Sequence, residues 1–294
     1  MTKRPFALEK YSDADDLLLI EEALRGNSES LNELILHHQQ YIFNIALKMM
    51  NSVPDAEDAT QEILIRLVTN LAKYDRKKAR FRTWLYRVAF NHILNVKKQR
   101  YEKSVVGFDD FFDKIGSVPL AAVTAAEAAE KEMQLLIEES KSACMAGMIM
   151  CLDRQQRLTY IVGELFEINH NLAGEIFEIS PENFRKRLSR ARKDLYAWMN
   201  DRCGLVNKDN PCRCAKKTKG FIEKGWVTKN LKWNADYKKK IHELSERRAD
   251  TILLERDAIY AKIHRDQPFK NHDKSGEVLR VILGNKVMKD IFDL

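Results

Sequence analysis

One stretch decides the fold, residues 180–193, which read SPENFRKRLSRARK. Ser180 is a favoured N-cap residue, and Pro181 suits the first helical position because its missing N–H would have no partner there. The stretch therefore predicts a helix that begins at Pro181. Its apolar residues recur at three- and four-residue spacing and form a single stripe: Phe184, Leu188, Ala191 and Leu195. The other sides carry mainly Lys and Arg, so one face packs while the opposite face meets an anion.

The residues just before this helix complete a two-helix pattern. Residues 171–176 predict a short helix and residues 177–179 a tight turn, which is the order of a helix-turn-helix. A solvated basic helix is the plainer alternative, but the preceding helix and turn favour DNA recognition. The N-terminal part of the second helix would read base edges through Glu182, Asn183 and Lys186. Four further cations are placed for phosphate contacts: Arg187, Arg190, Arg192 and Lys193.

Composition and charge favour a helical protein with a polyanionic partner. The chain has 294 residues and a formal net charge of +7, which suits two or three modest domains. Acidic clusters lie in the first half, whereas Lys and Arg are in excess after residue 180, so the chain can contact a basic protein and a nucleic acid together. Only 11 Gly and 6 Pro occur, and apolar residues recur mostly at helical spacing. We therefore predict an all-α protein.

The sequence also bears on the compartment. No apolar run approaches the roughly 18 residues that a membrane span needs, and residues 1–5 are not followed by the apolar core of a signal peptide. Five cysteines, an odd number, argue against a secreted disulfide framework and for reduced thiols or a metal site. We expect a cytoplasmic protein.

Two helices of the N-terminal half carry outward-facing residues that suit partners. The helix opened by Pro54 places Asp58, Glu62 and Ile65 opposite its apolar side. Acidic residues near its start simply suit the positive helix end, but an outward Ile65 indicates a protein partner. The helix from about residue 79 to 101 mixes cations and aromatics on its outer side and margins: Arg82, Tyr86, Arg87, Phe90, Asn91, Leu94 and Lys98. This mixture suits exposed bases, although core aromatics are the alternative.

The pattern along the chain predicts five segments. Residues 15–101 form one helical domain, and residues 127–200 form a second one that contains the helix-turn-helix. Between them, residues 102–126 lose the helical pattern and predict a flexible linker. A Cys-containing segment, residues 201–220, comes next. Residues 221–294 predict a helical C-terminal extension that could fold over the preceding domain and mask one of its faces.

Two blocks of sequence resemble the sigma-70 family of bacterial RNA polymerase initiation factors, in its small extracytoplasmic-function (ECF) branch. Residues 55–62 (DAEDATQE) and 81–91 (FRTWLYRVAFN) are similar to the family's region 2, and residues 172–192 are similar to its region 4. The resemblance spans roughly residues 15–200. It implies an all-α protein in which a region 2 bundle and a region 4 helix-turn-helix are joined by a flexible linker. Glu178 stands where family members commonly have glycine, so a positive φ there would be mildly strained.

The resemblance implies a sigma factor, which is a promoter-recognition subunit and not an enzyme. Its implied partners are core RNA polymerase, promoter duplex and melted single strand, with an anti-sigma factor as a further candidate. One acidic helix face would bind polymerase: Asp58, Gln61, Glu62 and Ile65. Four residues would hold the minus-ten element: Arg82, Arg87, Asn91 and Lys98. The basic helix would read the minus-thirty-five element. A stand-alone helix-turn-helix regulator is the alternative; a Cys/His catalyst is disfavoured because no His shares a recognisable motif with any Cys.

Three thiols follow the basic helix closely: Cys203, Cys212 and Cys214. Thiolates are strong zinc ligands, but a closed structural site needs four ligands, and the sequence offers no evident fourth. Reduced loop thiols are therefore favoured over zinc, and no cofactor is expected. Cys144 and Cys151 lie seven residues apart and are predicted as small apolar core residues.

Overall fold

The computed structural model describes residues 13–96, 107–121 and 130–228, together with residues 103, 124, 126 and 127. Over these residues the chain is helical and has no β-strand, which confirms the all-α prediction. None of the described helices is long and apolar enough to span a membrane. Lys98 and residues 229–294 of the predicted extension lie outside the described residues.

The described helices are named in chain order. They are α1 (Asp13–Ala23), α2 (Ser28–Met50), α3 (Val53–Asn70), α4 (Phe81–Asn95), α5 (Phe108–Gly116), α6 (Lys131–Met150), α7 (Arg154–Tyr160), α8 (His170–Phe177), α9 (Pro181–Arg202) and α10 (Cys214–Glu223). A 3₁₀ turn, Leu71–Lys73, follows α3, and a π-helical turn, Ile161–Leu165, follows α7.

The described residues divide into two compact units. Unit 1 contains residues 13–96 and 168–184, which are α1 to α4, α8 and the first turn of α9. Unit 2 contains the described residues from 103 to 167 and from 185 to 228. The sequence-based boundaries, which assign residues 127–200 to a single domain, stay a prediction. In the structure the packing groups α8 with the N-terminal helices.

Helix α2 is the centre of unit 1. Asn27 caps its start by accepting hydrogen bonds from the backbone N–H groups of Glu29 and Ser30 at 3.0 and 3.2 Å. Asn51 ends it in the left-handed region at φ 51°. Every residue from 41 to 50 is buried, because α1, α3 and α4 all pack against this helix. The C-terminal half of α2 is therefore surrounded by other helices, whereas its first half keeps an exposed side that includes Glu33 and Leu36.

A buried carboxylate joins three helices of unit 1. Asp16 on α1 is fully buried and accepts a hydrogen bond from Arg82 Nε on α4 at 3.0 Å. Its other oxygen lies 3.1 Å from His38 Nε2 on α2. Burial raises the pKa of Asp16, but His38 and Arg82 outweigh this effect and hold the pKa at about 2. Burial lowers the pKa of His38. The pairing therefore fixes α1, α2 and α4 relative to one another.

Unit 2 contains a helix that the sequence did not predict. Within the predicted linker, residues 108–116 form α5, which buries Phe111 and Ile115. Its C-terminal carbonyls accept hydrogen bonds from Lys217 Nζ on α10, including one to Ile115 O at 2.9 Å. Gly147 on α6 allows a close approach, because a Cβ there would lie 2.4 Å from the Phe111 ring. A nine-residue helix is marginal alone, so these tertiary contacts account for it.

Candidate nucleic-acid interface

Helices α8 and α9 form a tightly connected helix-turn-helix. Asn169 caps α8 through its side-chain oxygen, which accepts hydrogen bonds from Asn171 N at 3.1 Å and Leu172 N at 2.9 Å. At the other end, Ile179 N donates to Gly174 O and Glu178 N donates to Glu175 O, which is the Schellman arrangement. The predicted cap of α9 is confirmed, since Asn183 N donates to Ser180 Oγ at 3.1 Å.

The turn explains two residues of the motif. A Cβ on Gly174 would lie 2.9 Å from Ile179 O and 3.2 Å from Pro181 N, so the turn packs directly on this glycine. Glu178 occupies the left-handed region at φ 54°, so of the two possibilities left open by the sequence, a strained residue or a different turn, the structure has the strained residue. A residue with a Cβ is strained there, whereas glycine is not.

Glu178→Gly is expected to raise the free energy of unfolding by about 0.5–1 kcal/mol. The left-handed conformation costs a residue with a Cβ about 1–2 kcal/mol, and the larger entropy of glycine in the unfolded chain offsets part of the gain. The exposed ion pair with Arg87, at 3.5 Å, contributes little to stability. Urea unfolding measures the change. Glu178→Ala is the control because it keeps the Cβ; an equal gain in both variants would contradict the strain.

The apolar stripe of α9 is confirmed, because Phe184, Leu188, Ala191 and Leu195 are all buried. The predicted base-reading residues Glu182, Asn183 and Lys186 are exposed, as are Arg190 and Lys193, while Arg187 is half-buried. Arg192 differs from these residues. It is half-buried, and its Nε donates to the buried Glu164 carboxylate at 2.6 Å within unit 2. Arg192 thus holds α9 to the π-helical turn in this structure.

A second candidate surface is a cavity of about 430 Å³ in unit 1, between the end of α3 and α4. Two cations, Arg66 and Lys73, and one aromatic ring, Trp84, lie in its wall. Asparagine amides and two further residues complete the wall: Asn70, Asn91, Asn95, Val88 and His92. The cavity therefore offers positive charge, amide donors and acceptors, and a ring on which a flat group can stack.

His92 contributes a buried polar atom to this cavity. Its Nε2 lies 3.5 Å from Glu62 Oε2 and makes no hydrogen bond to the described residues. Burial lowers the pKa of His92, so its neutral form is favoured at pH 7. This nitrogen is inaccessible to solvent, so a ligand in the cavity would reach it only after the ring moves.

Several predicted residues of α4 have other surroundings than expected. Arg82 pairs with Asp16 and lies 3.6 Å from Asp13, and its side chain is only 12% exposed. Arg87 donates twice to Glu175 O, at 2.9 and 2.8 Å, and so caps the C-terminus of α8 inside unit 1. Of the four predicted minus-ten residues, Asn91 is exposed and lines the cavity; Lys98 lies outside the described residues.

The outward position expected for Phe90 is wrong. Phe90 and Tyr86 are 2% and 3% exposed and belong to the core. The ring of Phe90 lies 5.3 Å from that of Phe177 on α8, and Tyr86 stacks on Tyr41 at 4.5 Å. The alternative of core aromatics therefore holds for these two rings. Trp84 is half-buried, with its ring 5.7 Å from that of Phe81.

The predicted polymerase-binding residues share one accessible face of α3. Asp58 and Glu62 are exposed, and Gln61 and Ile65 are half-buried. Their spacing of three and four residues places them in one row, opposite the buried Ile63, Leu64 and Leu67. The face combines carboxylates with one apolar side chain, which suits a basic protein surface with an apolar patch.

Sequence reasoning missed Arg66, Asn70, Lys73, His92 and Asn95 as residues of the cavity. A signal was present for the first three, because their spacing of four and three residues at the end of α3 places two cations and an amide on one side. Their significance depends on how α4 packs beside α3. That packing is a tertiary property, which single-helix patterns do not contain.

Comparisons with known proteins agree with this geometry. Residues 34–102 match the sigma-70 region 2 family model. The ECF RNA polymerase sigma factor SigW of Bacillus subtilis is 24% identical over 183 residues, which cover 62% of this chain and 95% of that protein. SigM of the same organism is 28% identical over 171 residues, which cover 58% of this chain and 96% of SigM. The ECF RNA polymerase sigma-E factor of Escherichia coli K12 is 24% identical over 183 residues, which cover 61% of this chain and 92% of that protein.

A solved structure of CnrH in complex with the cytosolic domain of CnrY is also similar, with 18% identity and a TM-score of 0.44; the match covers 63% of this chain and 97% of that one. The region 2 match and these relatives support a sigma-70 family member of the ECF branch.

Proposed function

We propose that this protein is an RNA polymerase sigma factor that binds core polymerase, recognises promoter DNA and directs transcription initiation in the cytoplasm. The proposal depends mainly on one observation: the region 2 match and the cavity lie in the same part of the chain. The residues matched by sigma-70 region 2, 34–102, are also the residues that build the cavity of cations, amides and Trp84 in unit 1. Recognition and opening of DNA require no bond-making chemistry from this chain.

The cavity would hold one unstacked base of the opened minus-ten element. Flipping a base out of the stack costs a few kcal/mol, and stacking on an aromatic ring returns about 1–3 kcal/mol per base. Trp84 supplies the ring, and the Asn91 amide supplies polar contacts to a base edge. Arg66 and Lys73 would neutralise the adjoining phosphates.

The two other surfaces would divide the remaining work. The row of Asp58, Gln61, Glu62 and Ile65 would dock on core polymerase, as the family resemblance implies. The exposed side of α9 would lie in the major groove of the minus-thirty-five element, with its N-terminal residues toward the bases. Control by an anti-sigma factor stays a prediction.

Run-off transcription with reconstituted core polymerase on genomic promoter fragments tests the proposal. The purified protein should direct RNA synthesis from defined start sites, and it should co-purify with core enzyme. The alternative is a stand-alone helix-turn-helix regulator. That alternative would be favoured by specific binding to duplex DNA without any affinity for core polymerase and without start-site selection.

The exposed side of α9 gives a prediction with two contrasting variants. Lys186→Ala is expected to change the relative use of promoters by about 1–3 kcal/mol of discrimination, because a base contact carries sequence information. Arg190→Ala is expected to weaken all promoters alike and to reduce the salt slope of binding by about 1, because a phosphate contact releases counterions. Competition binding on a promoter set measures both; an equal loss on every promoter in both variants would contradict the assignment.

A further inference from the structure

Four cysteines, one from α6 and three from the segment that follows α9, line one small cavity in unit 2. The cavity has a volume of about 20 Å³, and Cys144, Cys203, Cys212 and Cys214 all line it. The rest of its wall is largely apolar, with Met145, Met148 and Trp198 among the lining residues. A space of this size holds about one water molecule or one ion. The fourth thiol that the sequence did not reveal is thus Cys144 on α6.

The fold holds the loop between α9 and α10 in a closed conformation. Asn210 is buried, and its Nδ2 donates to Asn200 O at 2.8 Å and to Cys203 O at 3.2 Å. Arg213 donates to the carbonyls of Asn210 and Lys208 in the same loop. Gly204 has no room for a side chain, because a Cβ there would overlap Cys212 O. These contacts bring Cys203 next to Cys212, which the nine-residue separation does not require.

Burial raises the pKa of all four thiols, so they are protonated in the metal-free protein and a bound cation has to displace those protons. Lys141 and Arg202 lie in the cavity wall, and Arg213 and Lys217 act electrostatically on Cys212. Four thiolates around a divalent cation carry two net negative charges, and the neighbouring cations offset that charge.

We infer that Cys144, Cys203, Cys212 and Cys214 form a four-thiolate site for a soft cation with a filled d shell, with Zn²⁺ as the ion. Thiolate sulfur is the preferred ligand of such ions, and four of them make a closed tetrahedral structural site. In the described residues no group of three or more His, Cys, Asp or Glu side chains is placed so that it could hold a metal ion. Binding would therefore require the four thiols to move closer together, and it would tie α6, the end of α9 and the start of α10 to one another.

Metal titration of the reduced, full-length protein tests the inference. Co²⁺ is expected to bind in a ratio of one per chain and to give the charge-transfer and visible bands of tetrahedral thiolate coordination, and one equivalent of Zn²⁺ should remove them. Cys144→Ser and Cys212→Ser are each expected to weaken Zn²⁺ binding by more than about 100-fold, because the loss of an outer-shell partner already costs roughly 10- to 100-fold.

Cys151→Ser is the matched control. Cys151 follows the end of α6, donates its thiol hydrogen to Gly147 O at 3.5 Å and does not line the cavity, so this variant should bind Zn²⁺ like the wild type. Far-UV circular dichroism of each metal-free variant checks folding, and Cys212→Ser, in a surface loop, provides the test if Cys144→Ser loses helix. Two results would overturn the inference: no stoichiometric metal on the wild type, or equal losses in Cys144→Ser and Cys151→Ser.

Discussion

Asp16→Ala is expected to lower the free energy of unfolding of unit 1 by about 3–5 kcal/mol, the cost of removing one partner from a buried ion pair. The substitution leaves the Arg82 guanidinium without its fully buried partner, and it removes the carboxylate that contacts His38. Asp13, 3.6 Å from Arg82 Nε but 43% exposed, compensates only in part. Urea unfolding followed by circular dichroism measures the change.

Asp15→Ala is the control for this prediction, since Asp15 precedes Asp16 on the same helix and is exposed. Exposed substitutions usually change stability by less than about 0.5 kcal/mol. Equal effects of the two substitutions would show that the buried network is not what stabilises α1.

The same network gives unit 1 a defined response to acid. The pKa of Asp16 is about 2 in the folded protein and 3.8 in the unfolded reference, so its contribution of about 2 kcal/mol is complete above pH 3.8 and is lost as the pH falls toward 2. His38 acts in the same direction from a higher pH. Burial lowers its folded pKa below 6.5, so below that pH the unfolded chain takes up the proton more readily. In Asp16→Ala, the loss between pH 3.8 and 2 should be smaller by about 2 kcal/mol.

Local sequence signals predicted α9 well. The Ser180 cap, the start at Pro181 and the buried stripe all depend on residues within a few positions of one another. Such features follow from helix periodicity and backbone sterics alone. The exposed face of α3 was predictable for the same reason.

Helix periodicity could not predict contacts between residues that are far apart in the sequence. Arg82 and Arg87 lie at the margin of the α4 surface, where a periodicity argument cannot distinguish a cation open to DNA from one that meets a distant partner. Their partners, Asp16 and Glu175 O, are 66 and 88 residues away. Helix α5 was missed because its stability comes from packing in unit 2 rather than from its own residues.

Arg66→Glu with Lys73→Glu is expected to reduce promoter opening by roughly 100-fold or more. Each cation that contacts DNA is worth about 1–3 kcal/mol, and a carboxylate in its place adds repulsion from the phosphates. Both side chains line the cavity beside Trp84 and Asn91, where the melted strand would enter. Permanganate footprinting of the melted region, with core polymerase present, measures the fraction of open promoter.

The control for this double variant is Lys77→Glu with Lys78→Glu, which changes the net charge equally on exposed side chains that do not line the cavity. This control should weaken DNA binding modestly at every site, because it reduces the positive electrostatic field of the whole protein. Promoter opening measured at saturating protein should stay nearly unchanged. If both double variants lost opening to the same extent, net charge would explain the effect and the cavity would have no specific part in it. Core binding of each variant is measured separately, because Arg66 lies on the same helix as the polymerase-binding row. A selective loss of opening in the first variant, with core binding intact, would place strand capture in the cavity, because net charge alone cannot distinguish two variants of equal charge.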